Sequence, residues 1–248
     1  MGPLRVRYRF QLPDGRREVF DLFFDARDFR LLNPHPTELP FWTALGFNQC
    51  ENCPLQASEH PQCPVAVQLV SIIERLERLV SYDQVRVDVH VVERVVTQET
   101  TAQQALSSLL GLIMASSGCP RTEFLRPMAR FHLPLANELE TIYRSVTMYA
   151  LAQLLKAGNG TSPDVKLEGL KQAYAELHKV NRGLAKRIGG ATPNDPARNA
   201  VVLLDAYTTL LPSAIDHSLA DMRPLFAPLL GEKSNEQQSG EEKSGDRA

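Results

Sequence analysis

No apolar run in this sequence of 248 residues reaches the roughly 18 residues that a membrane span needs. The longest candidate, LSSLLGLIMASSG at 106–118, is interrupted by Ser107, Ser108 and Gly111 and reads as a buried helix. The first residues, MGPLRVRYRFQLPDG, alternate charge with apolarity and lack the continuous apolar stretch of a secretory signal. Neither sign of charge dominates: 27 Lys and Arg face 29 Asp and Glu, for a net charge of −2. The arginines are not interleaved with aromatics in one basic block, so no nucleic-acid partner is expected. Catalytic signatures are also missing, with no P-loop, dinucleotide fingerprint, G-x-S-x-G or H-E-x-x-H. These absences lead to the expectation of a cytoplasmic protein with no membrane partner, and no motif names a reaction.

Cysteine is scarce, with four in the chain, and three of them fall in FNQCENCPLQASEHPQCP at 47–64. In a reducing compartment structural disulfides are rare, so this crowding points to metal. Cys50 and Cys53 have the C-x2-C spacing that lets one tight turn present two thiolates to one ion. Cys63 follows, and Cys119 in SSGCPRTEF completes a set of four. Such a set suits zinc, the first reading, or a 4Fe-4S cluster, the alternative. Cys53, Cys63 and Cys119 each precede a proline, as cluster ligands in ferredoxins do. Cys50, Cys53, His60 and Cys63 form a second complete zinc set, which would leave Cys119 a free thiol. Two further readings stand beside metal binding: dithiol exchange at Cys50 and Cys53, or four buried cysteines without a ligand.

The first 24 residues predict a β-hairpin with Val6, Tyr8, Phe10 and Leu12 on one face and Pro13-Asp14-Gly15 in the turn. Residues 26–64 are proline-rich and lack periodicity, which is long for a loop without some further constraint. A helix is expected from Pro64 through Val80, and a strand from Gln84 that extends toward Val96. Residues 102–117 predict a second helix capped by Gly118. Residues 135–156 are apolar on more than one face and predict a central helix. Ser162-Pro163 is read as the start of a helix ended by Gly189-Gly190. Asp195-Pro196 is read as the start of a last helix that Pro212 should kink or divide.

GCPRTEFLRPMARFHLP places Arg121, Thr122, Arg126, Arg130 and His132 close to Cys119. Converging arginines bind phosphate or carboxylate through paired hydrogen bonds. The segment is therefore a candidate site for a small anionic ligand, and an enzyme built around Arg126 and His132 is the weaker alternative. The plainer reading pairs the arginines with acidic neighbours such as Glu123 and makes His132 structural.

The segments RYRFQLPDGRREVFDL, FNQCENCPL, CPVAVQL, TTAQQALSSLLGLIMASSGCPRTEFLRPMARFHLPLA and VNRGLAKRI together resemble an uncharacterised bacterial family, a domain of unknown function found largely in proteobacteria. The resemblance covers about residues 4–223. It implies a bacterial, cytosolic protein and brings no activity with it. The expected architecture is α+β: a small N-terminal antiparallel or mixed sheet with a cysteine knuckle, packed on a bundle of about five helices. It is expected to form a single domain over 1–230, divided into 1–100 and 101–230, with a disordered tail at 231–248. The expected role is a metal-binding module that binds or regulates an unknown protein partner or a small anion; the alternative is a redox protein.

Overall fold

The computed structural model describes residues 2–76, 78–191 and 196–232. Most of the expected tail, and Asp195 at the expected start of the last helix, lie outside the described residues. Among the described residues four strands form one antiparallel sheet in the order β2-β1-β3-β4: β1 Leu4–Gln11, β2 Arg17–Phe24, β3 Gln84–His90 and β4 Val95–Thr101. Strict alternation in β1 and β2 buries Val6, Tyr8, Phe10, Phe20, Leu22 and Phe24 on one face. Arg7 on the other face pairs with Asp21 at 2.7 Å across the register Arg7↔Asp21. The strand expected to run from Gln84 toward Val96 is two strands. The Val91 N–H donates to the Arg94 carbonyl at 3.0 Å and turns the chain back on itself.

Among the described residues six α-helices follow from the remaining periodicity, against the expected five or so: α1 Pro64–Arg75, α2 Ala102–Ser116, α3 Arg126–Arg130, α4 Glu138–Ala157, α5 Glu168–Ala191 and α6 Pro196–Leu230. Single 3-10 turns lie at Phe41–Thr43 and Glu123–Leu125. The central helix is α2, not the expected 135–156 helix. Leu106, Leu109, Leu110, Leu112, Ile113 and Met114 are all buried, and α2 contacts β3, β4, α1 and α3. Along α4, by contrast, Leu139, Tyr143, Leu151, Leu154 and Leu155 remain exposed, so its second apolar face is uncovered.

Helix α5 does not start at Ser162-Pro163. The Asp164 carboxylate accepts the N–H groups of Lys166 and Gly169, and Leu167 takes a left-handed φ of 60°, which delays the helix to Glu168. Nor does Gly189-Gly190 end it. The helix continues to Ala191, and a Cβ on Gly190 would come within 3.0 Å of the Phe47 ring, so the glycine there permits close approach. Helix α6 is continuous through Pro212, where the chain divides into two compact units, Met1–Pro212 and Ser213–Ala248. Every site described below lies in the first unit.

Candidate metal centre

Residues 41–64 are tied by backbone bonds that set where the cysteines stand. Ala44 and Gln62 form an isolated antiparallel bridge, the Leu45 N–H donates to the Pro61 carbonyl, and the Cys63 N–H donates to the Thr43 carbonyl at 2.8 Å. Cys63 is therefore fixed at the N-cap of α1, with Pro64 in the first turn where its missing N–H costs nothing. The C-x2-C segment is a tight turn closed by the Cys53 N–H on the Cys50 carbonyl at 3.0 Å. Cys119 arrives from the other side. Helix α2 ends at Ser116, Gly118 with its φ of 87° turns the chain, and the Thr122 hydroxyl then donates to the Met114 carbonyl at 2.5 Å and locks the turn.

These segments bring Cys50, Cys53, Cys63 and Cys119 to the wall of one small cavity, among Leu45, Val65 and Leu184. All four are half-buried free thiols. Burial pushes the Cys50 thiol up to about 12, and the thiols of Cys63, Cys119 and Cys53 add to the rise while Arg187 opposes it. Burial also raises the Cys119 thiol, opposed by the neighbouring Arg121 N–H and Thr122 side chain. The four sulfurs thus lie close enough to feel one another's charge. Among the described residues no three His, Cys, Asp or Glu side chains stand as a ligand group for a single metal ion.

Helix α5 forms the far wall. The Cys50 thiol donates to the Val180 carbonyl at 3.7 Å, and a Cβ on Gly183 would lie 2.7 Å from the Cys50 Sγ. Arg187, 1% exposed, donates to the carbonyls of Trp42 and Ala44 at 2.6 Å and of Leu45 at 2.9 Å. No carboxylate pairs with it among the described residues, although it lines the cysteine cavity. A buried cation without a counter-charge is costly, so the cavity beside it is a favourable place for negative charge. Arg121 lines the same cavity and donates from Nε to the Asn52 carbonyl at 2.7 Å. Asn52, between the paired cysteines, donates from Nδ2 to the Glu176 carbonyl and carboxylate, each at 2.9 Å.

His60 is exposed and does not line the cavity, so the structure gathers the four cysteines and leaves this histidine apart. The residues after Cys119 disperse. Arg121 and Thr122 support the cysteine cavity, and Arg126 pairs with Glu123 at 2.5 Å. Arg130 lies over the Phe131 ring at 5.4 Å. His132 turns inward to Tyr8, whose Oη lies 2.5 Å from its Nε2. Burial pushes His132 down to about 3, so its ring is neutral.

Gly183, Arg187 and Asn52 were not singled out by their residue types. The usable signal lay in VNRGLAKRI: Val180, Gly183, Leu184 and Arg187 follow i, i+3, i+4, i+7 spacing and so share one helix face. A glycine and an arginine on an otherwise apolar face mark a close approach and a buried charge. Neither a curated protein nor a solved structure matches the chain. Residues 6–227, which carry all four cysteines and the α5 face that closes over them, match the model of the domain of unknown function DUF6901, and the chain belongs to that family.

Proposed function

We propose that this protein binds a metal centre through the thiolates of Cys50, Cys53, Cys63 and Cys119. The observation that carries the reading is the meeting of a cysteine 56 residues downstream of Cys63 with the three loop cysteines around one cavity beside the unpaired Arg187. Four metal-bound thiolates are anionic, and Arg187 supplies the buried counter-charge. Proline after Cys53, Cys63 and Cys119, as at cluster ligands in ferredoxins, favours an iron–sulfur cluster over a single zinc ion, which needs its sulfurs about 4 Å from one another. Bound there, the centre would anchor the long 26–64 loop to α5 and, as a cluster, give the protein one-electron chemistry in a bacterial cytosol. Dithiol exchange is disfavoured because the C-x2-C pair lies in a long loop rather than between a strand and a helix of a βαβ unit.

Purification without oxygen, followed by analysis of iron, acid-labile sulfide and zinc, tests the proposal. A brown protein with four irons and four sulfides per chain is expected, and Cys119→Ser should abolish the colour as fully as Cys50→Ser. One zinc per chain with no sulfide would replace the cluster with the single-ion site. Protein with neither metal, and with all four thiols open to a thiol reagent, would sink the metal centre.

A further inference from the structure

A second cavity, of about 180 Å³, lies between α2, α3, α4, α5 and α6 within the first unit. It stands independently of the metal centre, since no cysteine lines it. Its floor is apolar, with Leu112, Met128, Ala129, Leu177 and Leu204. The space exists because one face of α2 carries only small side chains at Ser107, Gly111 and Ala115, spaced i, i+4, i+8. Gly111 is not demanded by packing, because a Cβ there would make one ordinary contact, with Leu204 Cδ2 at 3.5 Å. A dry cavity of comparable size, about 150 Å³, is large enough for benzene.

Two polar groups on this wall lack what their chemistry calls for. Asn181 is 1% exposed, and its Oδ1 has no hydrogen-bond partner among the described residues. The orientation of its amide follows from its neighbour. Thr208 donates its hydroxyl to the Asp205 carbonyl at 2.8 Å, so it can only accept from Asn181 Nδ2, at 3.4 Å, and the amide oxygen is left over. Arg144 is the second. Its Nη2 donates to the carbonyls of Met128 and Phe131, and no carboxylate pairs with it among the described residues. An orphaned buried acceptor calls for a donor, and a cation on an apolar wall calls for an anion.

We propose that this cavity binds a compact hydroxyaromatic acid, with the ring on the apolar floor, the ring hydroxyl donating to Asn181 Oδ1 and the carboxylate on Arg144. The hydroxyl satisfies an acceptor that is otherwise buried without a partner, and the carboxylate supplies the missing counter-charge. A site built to take a hydroxyl discriminates against the analogue that lacks it, because the orphaned acceptor then stays unpaired.

4-Hydroxybenzoate and benzoate are the probes, titrated into the full chain and followed by calorimetry and by methyl NMR of Met114 and Met128. The expected result is saturable binding of 4-hydroxybenzoate with shifts in both methionine methyls, and roughly tenfold weaker binding of benzoate, the factor of one hydrogen bond. Asn181→Leu should bring the two ligands to equal affinity, and Arg144→Gln should weaken both. Gly111→Ala guards against misfolding as an explanation, because it should raise the thermal midpoint while weakening both ligands. Absence of methionine shifts at millimolar ligand would overturn the proposal. So would a preference for 4-hydroxybenzoate that survives in folded Asn181→Leu protein.

Discussion

Gly183 is the point on α5 against which Cys50 packs: a Cβ there would lie 2.7 Å from the Cys50 Sγ and 3.0 Å from its Cα. The second distance decides the consequence. A sulfur at the end of a side chain can swing aside, but a Cα moves only with its backbone, and that backbone is held by the Cys53–Cys50 turn and by Arg187 on Leu45.

Gly183→Ala should therefore destabilise the protein by about 1–3 kcal/mol, the range for forcing a methyl into a packed site. The gain in helix propensity, about 1 kcal/mol, offsets only part of this. Gly190→Ala is the control, because its added Cβ meets the tip of the Phe47 ring at 3.0 Å, and a ring edge can yield. Urea unfolding of both variants checks the order: Gly183→Ala should lose clearly more than Gly190→Ala. Metal content should fall with the first and hold with the second.

Arg187 offers a second test, of charge rather than space. Arg187→Met keeps the length of the side chain but leaves the carbonyls of Trp42, Ala44 and Leu45 without their donor. Hydrogen bonds to a charged group contribute about 1.5–3 kcal/mol each and do not add fully, so a loss of about 3 kcal/mol or more is expected by denaturant unfolding. Arg187→Lys should fall in between, because one ammonium cannot reproduce the planar fork that spans three carbonyls. If a cluster is bound, its midpoint potential should move negative in Arg187→Met, since a nearby cation no longer favours the more negative reduced state. An unchanged potential in a folded, loaded variant would show that Arg187 is not its counter-charge.

The same two residues explain what the sequence could and could not tell. The N-terminal hairpin was legible because β alternation is local: Val6, Tyr8 and Phe10 announce one face without reference to anything distant. The cysteines declared themselves by rarity and spacing. Helix α4 misled because an apolar face looks the same in sequence whether it is covered or not, and Leu151, Leu154 and Leu155 are uncovered. The β3–β4 hairpin was missed because Val91-Val92 and Val95-Val96 read as one run of valines, although Glu93-Arg94 between them turns the chain. Arg187 and Gly183 were hidden for a different reason. Their roles depend on a loop more than 130 residues away, and nothing within α5 reports that contact.

Tyr8 and His132 give a prediction in pH. The Leu135 N–H donates to Ser108 Oγ, and Ser108, Tyr8 and His132 continue the chain of hydrogen bonds at 2.9 and 2.5 Å. Burial raises the Tyr8 pKa, so its hydroxyl stays protonated, and the neutral His132 Nε2 can accept from it. With a folded pKa of about 3 against 6.5 for a free histidine, the unfolded chain binds the extra proton throughout the interval between them. Stability is therefore complete above pH 6.5 and declines as pH falls toward 3, by at most about 1.4 kcal/mol per pH unit. Between pH 6.5 and 5 most carboxylates keep their charge, and the difference between the wild type and His132→Asn reports this histidine. Urea midpoints over that window should fall in the wild type and fall less steeply in His132→Asn. Parallel slopes would place the titrating group elsewhere.

His60 and Cys63 separate the two ligand sets that the sequence allowed. Both lie in the same segment, but Cys63 lines the cavity at the N-cap of α1 and His60 is exposed on a turn outside it. If the four cysteines are the ligands, His60→Ala should leave metal content and thermal midpoint unchanged, because an exposed side chain without a packing role rarely shifts stability by more than about 0.5 kcal/mol. Cys63→Ser and Cys119→Ser should each strip the metal and loosen the 41–64 loop, seen as faster amide exchange at Leu45 and Cys53. Loss of metal in His60→Ala with retention in Cys119→Ser would instead establish the local set of Cys50, Cys53, His60 and Cys63. The loop would then have to rearrange to bring His60 inward, and the Ala44–Gln62 bridge that now fixes its end could not persist in its present register. The rearrangement has a direct readout: protection of the Leu45 N–H, which is bonded to Pro61 at 2.9 Å, should vanish on metal loading if His60 is a ligand and rise if it is not.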